Sequence, residues 1–138
     1  MTKREMAIKM AWLHVGTPYV WGGDDPMRGF DCSGLIVEIL KSVGKLPRGT
    51  DYTAKGLFNL YATTNLVPLN LTYLPGTLLF WGKSSIYHVA MVIEKGYTIS
   101  ASGGGSHILD LADAIAQNAY VKIRPITNPH YAVDPFYE

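Results

Sequence analysis

The sequence predicts an α+β domain in which N-terminal helices pack on an antiparallel β-sheet. Helical periodicity dominates the first half of the chain, whereas strand-like apolar runs follow the turn signal Pro75-Gly76. Helices first and strands second favour this class over alternating βαβ units, which build parallel sheets. The length of 138 residues suits a single domain over residues 1–138, and a hydrophobic content of 48% supplies its core.

Three helices are predicted in the first half of the chain, the first two next to start and stop signals and the third weaker. They cover residues 2–14, 31–44 and 53–61. Thr2 and Glu5 form a capping box at the start of the first helix, and Gly44 ends the second. A short extended piece at Tyr19-Val20-Trp21 and a turn-rich loop to Phe30 connect these two helices.

The second half of the chain predicts the sheet. Four strands are expected, at residues 78–81, 89–93, 97–101 and 121–123. The break at Lys95-Gly96 suits a tight hairpin between the second and third of them. A short amphipathic helix over 109–118 precedes the last strand, and we expect residues 128–138 to pack as an irregular tail.

Composition and charge exclude several classes of protein. The net charge of +1 argues against an electrostatic grip on nucleic acid. No apolar run reaches the length of about 18 residues that a membrane span needs. The N-terminal residues lack the apolar stretch of a secretory signal, so the sequence leaves the location unknown. Cys32 is the single cysteine, so it has no disulfide partner within the chain and acts as a thiol.

The most informative chemical feature is Cys32 at the predicted start of the second helix. Its thiol lies next to unpaired backbone N–H groups and the positive end of the helix dipole. A thiolate is stabilised there, and such positions can depress a cysteine pKa to roughly 3.5–7.5. Asp31 is a candidate N-cap, and the small residues Ser33 and Gly34 leave the sulfur approachable. The alternative is a buried, inert cysteine.

A cysteine nucleophile needs a base, and His88 is the best candidate. It stands at the start of a predicted strand, and its ordinary pKa of about 6.5 suits proton exchange with a thiol. The alternative is a solvent-exposed histidine at a strand end. His14 and His130 are expected to be structural or surface residues.

Five blocks of sequence together resemble the NlpC-type cell-wall cysteine peptidases of the papain-like superfamily. The blocks are YVWGG at 19–23, DCSGL at 31–35, LPR at 46–48, PGTLLFW at 75–81 and HVAMV at 88–92. They stand in the order and at the spacings of that family, over about residues 5–124. The resemblance implies a papain-like NlpC fold.

The resemblance also assigns roles at the reacting centre. Cys32 would be the nucleophile and His88 the base. Tyr19 matches a tyrosine whose hydroxyl helps to stabilise the oxyanion, together with the Cys32 backbone N–H. A donor aimed at developing negative charge contributes about 2.7–4 kcal/mol. The alternative for Tyr19 is a core tyrosine that packs on the first helix.

Four residues are implied to contact the substrate: Asp31, Ser33, Trp21 and Arg48. Asp31 and Ser33 flank the nucleophile, where the family contacts the amine and polar groups of a short peptide. Asp31 can be a helix cap at the same time. Trp21 would form a groove wall or stack on a sugar, whereas Arg48 is equally compatible with an exposed loop.

The sequence departs from the family at the residue that orients the base. The family usually has His, Asn or Gln on the next strand, and the matching position, twelve residues past His88, is Ser100. A serine hydroxyl can accept the imidazole N–H, but it orients the ring more weakly. His107 is the alternative third catalytic residue, because the Gly103-Gly104-Gly105 segment could fold it back toward His88.

The resemblance implies cleavage of an amide bond in peptidoglycan stem peptides, as in γ-D-glutamyl–diamino-acid endopeptidases. Two alternatives remain: a catalytically decayed structural or binding module such as a phage tail component, or an amidase or acyltransferase on a non-wall substrate. A phage-encoded enzyme with tail or lysis partners is a further expectation, and delivery to the wall would follow the virion, lysis or export.

We expect neither a cofactor nor a metal ion. Cys32, His88 and His107 could in principle bind zinc, but a single cysteine without paired-ligand spacing does not favour it.

Overall fold

The computed structural model describes residues 1–25, 29–70, 72–102, 109 and 111–137. In chain order its elements are α1 (Lys3–Leu13), β1 (Asp24–Asp25), β2 (Gly29–Phe30), α2 (Cys32–Ser42), α3 (Ala54–Ala62), β3 (Leu66–Val67), β4 (Leu78–Trp81), β5 (His88–Glu94), β6 (Tyr97–Ser102), α4 (Leu111–Gln117), β7 (Tyr120–Pro125) and β8 (Tyr131–Val133). The predicted α+β class is confirmed.

The first three helices begin at capping residues, of which the sequence analysis identified those of the first two. Thr2 and Glu5 form the predicted capping box of α1. Asp31 and Thr53 cap α2 and α3, and each side chain accepts a hydrogen bond from the backbone N–H three residues later. These bonds satisfy N–H groups that have no partner within the helix, so they fix where each helix starts.

The main sheet has six strands in the order β3-β8-β4-β5-β6-β7, and every neighbouring pair is antiparallel. The predicted hairpin at Lys95-Gly96 joins β5 to β6, and Gly96 adopts the positive φ of 84° that the turn requires. A separate two-stranded ribbon, β1–β2, lies within the stretch that the sequence predicts as a turn-rich loop.

Side chains alternate between the two faces of the sheet, and the faces have different partners. The face that includes Phe80, Val89 and Met91 belongs to the main core, to which α2 contributes a run of buried residues. The opposite face holds a smaller cluster around Leu79 and Val92. The main core therefore fixes the position of α2 against β5.

The predicted irregular tail over residues 128–138 is wrong at its centre. Residues Tyr131–Val133 form β8, which lies inside the sheet between β3 and β4. The segment after β8 is also held, because the Asp134 carboxylate binds the Arg4 guanidinium at 2.7 Å and accepts a hydrogen bond from the Phe136 N–H at 3.0 Å. This end of the chain is therefore part of the framework that supports α1 and β4.

Among the described residues, no helix combines the length and the apolar character that crossing a membrane requires.

Candidate active site

The first turn of α2 is tied to the turn that precedes β1. The Asp31 carboxylate accepts hydrogen bonds from the Gly34 N–H at 2.6 Å, the Ser33 hydroxyl at 3.2 Å and the Gly22 N–H at 3.1 Å. The Asp31 N–H in turn donates to the Gly23 carbonyl at 2.9 Å. One capping residue therefore positions both Cys32 and the glycine turn beside it.

Gly34 makes this close approach possible. A Cβ atom at Gly34 would overlap the carbonyl oxygen of Gly23 and would lie 2.9 Å from Oδ1 of Asp31. Any larger residue would therefore push the turn away from the helix or disturb the cap.

Cys32 opens into a groove of about 570 Å³. The predicted site residues that line it with Cys32 are Tyr19, Trp21, Asp31 and Ser33. Trp21 is half exposed on the rim, whereas Tyr19 is buried. Five of the residues singled out from the sequence thus share one groove.

Arg48 lies elsewhere. Its guanidinium is exposed and pairs with the Glu38 carboxylate at 3.3 Å, and Arg48 is absent from the groove lining. The structure does not bring Arg48 to the site, because a local ion pair with α2 holds it.

The sulfur of Cys32 faces the start of β5, where it interacts with the backbone N–H of Val89. That N–H belongs to the peptide group that joins Val89 to His88, so the backbone of His88 lies beside the thiol. The His88 side chain lies on the sheet face opposite α2, and its ring centroid is 5.4 Å from that of Trp81. The sulfur of Cys32 and the imidazole of His88 thus lie on opposite faces of the sheet, both next to the start of β5.

The His88 side chain lines a second cavity, of about 200 Å³, which also includes Ser100. Ser100 is buried on the same sheet face as His88 and lines the same cavity. The other candidate, His107, lies outside the described residues. Tyr87 lines both the Cys32 groove and the His88 cavity, which makes the two spaces neighbours.

Burial determines the charge state of the Cys32 thiol. It raises the pKa of Cys32 to about 11, although the N–H groups of Val89, Ser33 and Cys32 itself favour the thiolate. The expectation that the helix start depresses this pKa is therefore wrong for the free protein. The sequence shows the favourable N–H groups, but it does not show the residues that exclude water from the sulfur.

The same effect keeps the imidazole neutral. Burial lowers the pKa of His88 to about 4, and the nearby positive charge of Arg124 lowers it further. Burial, with the negative charges that Cys32 and Asp31 can carry, raises the pKa of Tyr19 to about 12. The Tyr19 hydroxyl therefore stays protonated near neutral pH and can donate a hydrogen bond.

Several residues that line these spaces were not found from the sequence. Asp51, Tyr52 and Lys55 form the groove wall at the start of α3, and Arg124 lines the cavity beside His88. No local motif identifies them, because each reaches the site through the packing of a whole helix or strand. Tyr87 carried a weak signal, an aromatic residue directly before the candidate base.

Neither cavity offers a metal centre in the part of the chain that the structure describes, where no three His, Cys, Asp or Glu residues are grouped as possible ligands.

Similarity to known proteins identifies the family. Residues 16–125 match the NlpC/P60 family. The chain belongs to this family. The resemblance found in the sequence is thereby confirmed, and so is the papain-like NlpC architecture.

Similar proteins from bacteria include several named as wall enzymes. Murein DD-endopeptidase MepH of Escherichia coli (strain K12) is 30% identical over 133 residues, which cover 91% of this chain and 46% of the relative. Gamma-D-glutamyl-L-lysine dipeptidyl-peptidase of Bacillus cereus is 36% identical over 98 residues, which cover 67% of this chain and 26% of the relative. The chain thus spans less than half the length of these curated relatives.

Among solved structures, the NlpC/p60 domain of the peptidoglycan hydrolase SagA aligns with a TM-score of 0.67 at 27% identity, covering 95% of this chain and 97% of that domain. A P60 domain from an antigen of M. avium subspecies paratuberculosis aligns with a TM-score of 0.71 at 25% identity, covering 99% of this chain and 96% of that domain. The whole chain therefore corresponds in extent to a single domain of these proteins.

Gly34→Ala tests the close approach at the start of α2. We expect it to lower the free energy of unfolding by about 1–3 kcal/mol, the range for overpacked sites. Gly56→Ala is the matched control, since Gly56 also lies three residues after an N-cap, and the nearest atom to its added Cβ would be Oγ1 of Thr53 at 3.3 Å. Its stability should stay within about 1 kcal/mol of wild type. Urea unfolding measures both, and equal stability of the two variants would contradict the proposed contact.

The protonation state of Cys32 is measurable by alkylation. With a pKa of about 11, the folded protein holds far less thiolate at pH 7 than free cysteine does. We expect iodoacetamide to modify it more slowly than free cysteine, with a rate that keeps rising above pH 9. Protein unfolded in urea is the control, and it should react like free cysteine. A titration midpoint below pH 7 in the folded protein would show that the thiolate is the resting form.

Proposed function

We propose that this chain is a cysteine peptidase that cleaves an amide bond in the stem peptides of peptidoglycan. The observation that carries the proposal is the position of the single thiol, which lines an open groove at the start of α2 and faces the backbone beside His88. Membership of the NlpC/P60 family and the wall-enzyme names of several relatives support the substrate class.

Acylation starts from a neutral pair in this proposal. As the sulfur attacks the substrate carbonyl, the C–S bond forms and His88 takes the thiol proton. The Tyr19 hydroxyl and the backbone N–H of Cys32 donate to the oxyanion. The C–N bond then breaks, and the imidazolium returns the proton to the leaving amine.

Deacylation repeats these roles with water. His88 removes a proton from water as the water oxygen attacks the thioester. The C–S bond then breaks, the acid is released, and the imidazolium returns the proton to the sulfur. Cys32 and His88 are therefore both neutral before the reaction. Charge develops only during turnover, when the donors around the sulfur can stabilise it.

Substrate contacts follow from the groove lining. Hydrogen bonds from Gly34, Ser33 and Gly22 hold the Asp31 carboxylate in a fixed orientation. Burial raises the pKa of Asp31, and these hydrogen bonds oppose that shift. In this proposal Asp31 and Ser33 contact the amine side of a short peptide, and Trp21 covers its apolar part. The bond we favour joins D-glutamate, through its γ-carboxyl group, to the diamino acid.

One observation favours a second candidate, a binding or structural module that has lost turnover. In the described part of the chain, no hydrogen bond from a neighbouring group holds the His88 ring, and the matching position for an orienting residue carries only Ser100. Partners in a phage tail or a lysis system, and a non-wall amide as substrate, stay predictions from the sequence.

Digestion of defined muropeptides separates these candidates. We expect product masses that correspond to cleavage of the γ-D-glutamyl–diamino-acid bond, and no release of fragments by Cys32→Ser. Serine is the suitable control because it keeps the shape of the site and removes the sulfur. Binding of muropeptide without cleavage by the wild-type protein would favour the non-catalytic module, and masses from another bond would correct the specificity.

A further inference from the structure

The cavity beside His88 is lined by the imidazole together with a positively charged side chain, Arg124. The cavity of about 200 Å³ lies on the sheet face opposite α2, and its lining includes His88, Ser100, Arg124 and Thr127. Its volume is several times the roughly 30 Å³ that one water molecule occupies in the liquid. The cavity can therefore hold a small polyatomic group next to the imidazole.

The base lacks an electrostatic partner here. During turnover His88 must become an imidazolium, yet the charge that acts on it is the positive charge of Arg124, which disfavours that form. Among the described residues the ion pairs join Arg4 to Asp134 and Arg48 to Glu38, and no acidic group pairs with Arg124. In the part of the chain that the structure describes, a base and a cation without an acidic partner thus line the same small cavity.

We propose that this cavity binds a carboxylate, which pairs with Arg124 and accepts a hydrogen bond from the His88 imidazole. The inference rests on the proposed peptidase function, and it supplies a hydrogen-bond partner that the described residues do not give the His88 ring. A carboxylate fits the two demands, because it carries a negative charge and offers two acceptor oxygens to different donors. With it in place, the positive charge that forms on His88 lies next to a negative one.

The carboxylate has two possible sources with the same chemistry. Tyr87 lines both this cavity and the Cys32 groove, so a carboxylate of a bound stem peptide can reach the cavity past that side chain. A free small carboxylate is the other source. Muropeptides whose own carboxylates are amidated distinguish the two sources. Only a separate small carboxylate from solution can activate cleavage of such a substrate.

Turnover in the presence of acetate tests the proposal. We measure cleavage of an amidated muropeptide with increasing acetate at constant ionic strength, with chloride and neutral acetamide as controls. Acetate alone should raise kcat in a saturable way, by on the order of 10- to 100-fold, below the 10²–10⁴ that a fully positioned base supplies. The same experiment is run with the muropeptide that keeps its carboxylates. If acetate raises kcat there too, a separate small carboxylate is the source. If this substrate is cleaved at the high rate without acetate, its own carboxylate is the source.

Two variants on β7 localise the effect. Arg124→Gln removes the cation in the cavity and should abolish the acetate response. Lys122→Gln is the matched control, because Lys122 lies two residues away on the same face of β7 and its ammonium binds the Asn118 carbonyl and the Tyr120 ring instead. It should keep the response. An equal acetate response in wild type and Arg124→Gln would overturn the proposal.

A binding measurement keeps the inference separate from the proposed function. Acetate should shift the NMR signals of the His88 ring in wild type and in Lys122→Gln, but not in Arg124→Gln. This shift without any cleavage would disprove the peptidase and support the carboxylate site. Cleavage that does not change with acetate on either substrate, together with no shift of the His88 signals, would disprove the carboxylate site and leave the peptidase proposal intact.

Discussion

The packing of α2 into the main core is the constraint on which the rest of the site depends. Five large side chains of this helix, Leu35, Ile36, Val37, Ile39 and Leu40, are fully buried. Each contributes about 1.5–3 kcal/mol when it leaves water, so the helix has little freedom to shift. Cys32 begins the same helix, and its sulfur is therefore brought to the start of β5 by the hydrophobic core rather than by a flexible loop.

The burial that positions Cys32 also disfavours its charged form. The surroundings that hold the thiol also exclude water from it, and they favour the neutral forms of both Cys32 and His88. Nucleophilic attack by such a thiol therefore needs a base that removes its proton. In the proposed reaction, catalysis therefore relies on groups that stabilise charge as it develops. These are the N–H groups around the sulfur, the protonated Tyr19 hydroxyl and an anion that pairs with the His88 imidazolium.

Local patterns predicted much of the fold. The caps at Thr2 and Asp31 were visible in the sequence, and the hairpin at Lys95-Gly96 set the relation of β5 to β6. The strand β8 was missed because it has three residues and its pairing with β4 joins segments far apart in sequence. A tertiary contact of that kind leaves no periodic pattern to detect.

In the site, too, features that depend on local sequence were predicted, and features that depend on tertiary contacts were not. The residues in sequence blocks around Cys32 share one groove, because the turn before β1 and the start of α2 are joined by short-range hydrogen bonds. Arg48 did not reach it, since Glu38 holds the guanidinium, and Arg124 was invisible because only strand pairing brings it to His88. Burial, which determines both pKa shifts, is likewise a property of the assembled core and not of any motif.

The most direct measurement of this account is the mass of the intact protein after rapid acid quenching during turnover of a muropeptide. We expect an added mass equal to the acyl half of the substrate, located on the peptide that contains Cys32. Product formation without any such adduct, together with retained activity of Cys32→Ser, would contradict it.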